Sequence, residues 1–175
     1  FRSPALPSAI IDGLHAVLAY WGGAWLASTL GHPAAAARAG FWSAIFFGLN
    51  PALLAHGMGP RAYEVTPRPL GEFFFSATVM AVVWAVSGGG WGGWVMAALA
   101  GGLLLLSSKF AAQVLVFIIA LLALVPGFHA VSGVLPGAFL AAMVLSGDRY
   151  WEVFQGQRMF LCYYLQIMQF SYSFV

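Results

Sequence analysis

The ionisable side chains that could do chemistry gather at the ends of apolar runs. Asp12 and His15 are spaced to share one face of a helix, a turn apart. His56 closes the second apolar run, and Arg61, Glu64, Arg68 and Glu72 lead into the third. Carboxylates, imidazoles and guanidinium groups converging at a membrane surface would suit acid–base work on an anionic lipid or isoprenoid. The same residues would equally form an ion-paired rim, because long side chains at helix ends reach water at little cost. Lys109, Asp148, Arg149 and Glu152 belong to the same set of end-placed charges.

Histidine offers a second chemistry. His15 and His56 could each supply a neutral imidazole to a haem or chlorophyll-type ring. No supporting motif accompanies them, His129 falls at the opposite end of its run, and His32 sits in a loop. No ligand set for a metal can be assembled, and no P-loop or dinucleotide fingerprint occurs. No cofactor is evident beyond bound lipid. Ser132-Gly133 with His129 lacks the preceding glycine and the histidine on a separate span that an intramembrane serine protease needs. Asn50-Pro51-Ala52 resembles the pore triplet of the aquaporin family over three residues. That family pattern needs two triplets, and Pro136 follows Leu135 rather than Asn, so the resemblance is set aside.

The elements that must position these groups are membrane helices. Of 175 residues, 62% are hydrophobic and 7% charged, and the mean hydropathy is +0.88. A soluble domain needs more charge than this to cover its surface. The net charge of +2, with scattered cations, excludes nucleic acid as a partner. The expected fold is all-α, a polytopic transmembrane bundle of about six spans, since a crossing takes about 20 apolar residues. The runs are 9–30, 41–58, 73–86, 91–106, 110–124 and 129–145, separated by Gly, Pro and Ser breakers. The third and fourth runs would otherwise form a re-entrant pair. No small-residue cleavage site follows the first run, so it is expected to remain as a span.

Charge placement tests the count independently. It puts Arg2, Arg61, Arg68, Lys109, Arg149 and Arg158 on one side and Arg38 alone on the other. That is the positive-inside bias, with both termini on the cytoplasmic, matrix or stromal side of a bacterial or organellar inner membrane. Trp42, Trp84, Trp91 and Trp94 fall near the charge-poor side, where an aromatic belt sits. The single cysteine, Cys162, permits no intrachain disulfide.

Small residues recur at helical spacing: Gly23 and Ala27, then Gly93, Ala97 and Gly101, then Gly133, Gly137 and Ala141. Such stripes let helix backbones approach closely, within the chain or against another subunit. Pro51 and Pro136 are expected to kink the second and sixth spans. Residues 1–147 then form the bundle, and 148–175 a C-terminal interfacial helix or partial extra span. Its apolar part, 159–175, reads as an interfacial amphipathic helix, with a seventh or partial span as the alternative.

The function expected is an integral, structural or accessory subunit of a larger membrane assembly. Its partners would be the bilayer and other membrane subunits, or further copies of itself. A small-solute or ion transporter, with a site between the two kinks, is the alternative. A membrane enzyme acting on a lipid or isoprenoid at the cytoplasmic interface is the third reading.

Overall fold

Over its described residues, each apolar run bounded by Gly, Pro or Ser becomes a helix in the computed structural model. The model describes residues 5–49, 68–147 and 149–171, and among these there is no strand. The helices are α1 (Ala5–Thr29), α2 (Ala36–Gly48), α3 (Arg68–Trp84) and α4 (Gly90–Ser107), then α5 (Lys109–Ala123), α6 (Val134–Ser146) and α7 (Arg149–Ser171). Short 3-10 turns at Pro33–Ala35 and His129–Gly133 lead into α2 and α6. α2 begins five residues earlier than its apolar run, because Ala36–Gly40 is a good helix former after the proline turn.

Among the described residues, two helical runs are long and apolar enough to cross a membrane, Pro69–Ser107 and His129–Ser146. Only 28% and 22% of their most apolar stretches are buried, so most of that surface faces outward. The first run, 39 residues long, is not one rod. A π-helical turn at Ala85–Gly89 contains Gly88 at φ 100°, a conformation suited to glycine, and reverses the chain. A Cβ on Gly93 would lie 2.6 Å from Ala85 Cα, and one on Gly101 would lie 3.7 Å from Thr78 Cγ2. Rising residue numbers on α4 thus meet falling numbers on α3, which makes the pair an antiparallel hairpin. α1 has the length to cross, but Asp12, its glycines and its aromatic residues dilute its hydropathy.

Glycines fix the remaining registers. Gly40 abuts the Tyr20 carbonyl and Gly23 the Ala39 carbonyl, so α1 and α2 are antiparallel. Gly101 abuts Ala138, Gly102 abuts Ala141, and Gly137 abuts Ala98, so α4 and α6 run parallel. Of the small-residue stripes, Gly93, Ala97 and Gly101 are buried and consumed inside the chain. Gly133 departs from its expected stripe: it lies in the 3-10 turn, exposed, with open space where a Cβ would be. A core of Val82, Ala97, Leu104, Leu115, Ile119 and Val131 joins α3 to α5 and the turn before α6.

One expectation needs correction. Pro136 does not break a span, because it sits in the first turn of α6, where an N–H has no intrahelical partner to lose. The C-terminal helix runs from Arg149 to Ser171, within the expected 148–175, and Glu152 in its first turn complements the helix dipole. Asn50-Pro51 lies outside the described residues.

Candidate functional site

His15 and Ser76, with Asp12 and Glu72 on the same helices, lie toward one end of the bundle. α1 and α3 are parallel, since His15 meets Ser76 and Gly22 meets Met80. The same register puts Asp12 and Glu72 level with each other, one turn nearer the helix starts. α5 starts at that end as well: Gly71 on α3 has no Cβ, which lets Ser108 press against it. Ser108 caps α5 by accepting the Ala111 N–H at 3.4 Å. Lys109, Arg149 and Arg158 belong to this end, and Arg38 lies at the start of α2, at the other.

His15 is the most enclosed of the candidate residues, at 8% exposure. Its Nε2 shares a 2.7 Å hydrogen bond with Ser76 Oγ. Phe47 lies over the ring at a centroid distance of 4.2 Å, and Phe73 meets it edge-on at 6.0 Å. A ring ligand on Nε2 would have to displace the serine. The structure therefore brings together His15, Asp12 and Glu72 from the expected cluster and adds Ser76, which the sequence reading missed. Only its four-residue spacing from Glu72 on an apolar helix marked it. Arg68 opens α3 at the same end, while His56, Arg61 and Glu64 lie outside the described residues. No group of three His, Cys, Asp or Glu placed to hold a metal ion occurs among the described residues.

The other histidine chemistry is spent on backbone. His129 Nδ1 lies 2.8 Å from the Ala123 carbonyl, closing the end of α5. Ser132 Oγ donates to the His129 carbonyl rather than to its ring, so no serine–histidine dyad forms. Thr78 and Ser146 return their hydroxyls to carbonyls four residues back, as lone hydroxyls in apolar helices do.

α7 gives this end its distinctive shape. Tyr150 and Phe154 pack edge-on against Phe139 of α6, at 5.1 and 6.2 Å. Gln157 Nε2 donates to the Leu105 carbonyl of α4 at 3.1 Å. Lys109 Nζ of α5 stands 3.4 Å over the Phe160 ring. Residues 150, 154, 157 and 160 form one face of a helix. A seventh span antiparallel to α6 would meet ever earlier residues of α6. α7 instead leaves Phe139 for the end of α4 and the start of α5, and so crosses beneath the bundle. Burial pushes the Tyr150 phenol above its ordinary pKa. Beyond Phe160, the described side chains of α7, from Cys162 to Ile167, are all exposed.

No family model, curated protein or solved structure matches the chain.

Proposed function

We propose that this chain is an integral membrane subunit of a larger membrane assembly, with a structural or accessory role. The observation that carries this reading is the exposed face of α7 beyond Phe160. The helix continues to Ser171, and the side chains described there, Cys162, Tyr163, Leu165, Gln166 and Ile167, are exposed. Eleven further residues extend it by about 16 Å at 1.5 Å per residue. Tyr163, Leu165 and Ile167 are 62%, 55% and 41% exposed, which suits contact with a neighbouring subunit and not with solvent.

The bundle is read as multi-pass, with α1, α3 and α5 crossing one way and α2, α4 and α6 the other. In support, Lys109, Arg149 and Arg158 lie at one end and Arg38 at the other, and large apolar side chains are exposed on every described helix. The basic end, with both termini, is assigned to the cytoplasmic, matrix or stromal side. The transporter reading loses support because Pro136 makes no midplane break. The lipid-enzyme reading keeps one observation, the His15–Ser76 hydrogen bond toward the basic end, with Asp12 and Glu72 one turn away on the same helices.

Ending the chain after Phe160 tests the proposal. The truncated protein is expected to insert and melt like the full chain but to leave its assembly on gentle extraction. Retention of the truncated protein in the assembly would count against the arm as the contact.

A further inference from the structure

We propose that Ser76 and His15 form a nucleophile–base pair that cleaves the acyl ester of a membrane lipid, an inference that deepens the lipid-enzyme reading and rests on the membrane one. Ser76 Oγ and His15 Nε2 lie 2.7 Å apart, although 61 residues separate them along the chain. That is the reach a serine nucleophile needs to its base. The direction of this hydroxyl sets it apart. Ser28, Thr29, Thr78 and Ser146 return theirs to the carbonyl four residues back, and Ser107 and Ser132 to the carbonyl three back. Ser76 has Glu72 four residues back, yet its hydroxyl meets the imidazole of another helix instead.

Two rings hold the imidazole in place. Phe47 of α2 lies over it at 4.2 Å and Phe73 of α3 meets it edge-on at 6.0 Å, which keeps Nε2 toward Ser76. For the hydroxyl to donate, Nε2 must be bare and Nδ1 must carry the ring proton, which is the state of a general base. His15 is buried and Ser76 only half-buried, so the base is shielded while the nucleophile can be reached from outside. Asp12 precedes His15 by three residues and Glu72 precedes Ser76 by four, each on the same helix face as its neighbour. Carboxylates one turn away stabilise the imidazolium that forms when His15 takes a proton.

Depth names the substrate. The pair lies one turn, about 5.4 Å, inside the level of Asp12 and Glu72 at the basic end. The ester carbonyls of a glycerolipid lie at a similar depth, between the charged headgroups and the hydrocarbon. In the first step Ser76 Oγ bonds to the ester carbonyl carbon and its proton passes to His15 Nε2. The bond to the lipid alcohol then breaks as His15 gives that proton to the leaving oxygen. Water attacks the acyl-serine by the same route, which releases the fatty acid and restores both side chains. Nothing is oxidised or reduced, and water is the only co-reactant.

The test uses the full chain in phosphatidylcholine vesicles and a long-chain alkyl fluorophosphonate, which phosphonylates an activated serine with loss of fluoride. Peptide mass analysis is expected to place the adduct on Ser76, and the untreated vesicles to release free fatty acid. His15→Gln, which keeps an amide able to hydrogen-bond between the helices, is expected to slow labelling about 100-fold with melting little changed. Ser76→Ala is expected to remove the adduct. Ser76 left unlabelled in the unaltered protein would overturn the pair, whatever the variants do. Fatty acid released without that adduct would do the same and leave the lipid-enzyme reading standing. Equal labelling of the His15→Gln protein would rule out His15 as the base. An adduct on Ser76 with turnover of a short-chain soluble ester alone would overturn the lipid substrate. Absence of the protein from floated vesicles would instead sink the membrane reading itself.

Discussion

Gly102 and Gly133 are the same residue type in the same kind of apolar setting, yet the fold uses them differently. A Cβ on Gly102 would sit 2.8 Å from Ala141 Cβ and 2.9 Å from the Ala142 amide nitrogen, whereas Gly133 has nothing within 4 Å. Gly102→Ala must therefore push α4 from α6 and is expected to cost about 1–3 kcal/mol. Gly133→Ala is expected to leave stability unchanged. Thermal unfolding in one detergent checks both, and equal losses would mean that this helix contact is misplaced. The sequence shows glycines at four-residue spacing but not which of them face a helix. Periodicity marks a stripe, and only the partner's position makes a stripe into a contact. His15 makes the same point: its type suggested a ligand, while Ser76, 61 residues away, decides what its Nε2 does.

At the scale of the element, most helices were legible because their ends carry local chemistry. Gly, Pro and Ser breakers placed the bounds of α3, α4 and α5 within a few residues of those observed. The Ser146-Gly-Asp148 breaker likewise marked the start of α7, although its first turns are charged. Pro136 misled, since a proline in the first turn and one in mid-helix look alike until the helix start is known. The docking of α7 was not legible at all, resting as it does on a carbonyl at Leu105 and a cation–π pair across chain segments. Phe160→Ala removes the ring under Lys109, a contact worth about 0.5–1 kcal/mol where partly exposed. That variant is expected to speed tryptic cleavage after Arg158 by several-fold with the bundle's melting unchanged. An unaltered cleavage rate would mean that α7 is held by other contacts.

At the scale of the molecule, charge and shape agree. The bias in basic residues predicts one basic end, and the helix registers bring Lys109, Arg149 and Arg158 to one end independently of any hydropathy argument. The exposed apolar surface spreads over every described helix, and no described cluster binds a metal. The buried polar groups that are described have hydrogen-bond partners. Among the described residues several hydroxyls and His129 bond to backbone carbonyls, while the described side chains of α7 beyond Phe160 stay exposed. A partner for that surface was not legible, because an interface is a relation between two surfaces and one sequence gives only one of them. The most direct test is the native mass of the protein extracted from its own membrane in a gentle detergent. A discrete particle of fixed stoichiometry, well above the 18.6 kDa of one chain, is expected. A uniform population of single chains, folded and stable in that detergent, would contradict the subunit reading.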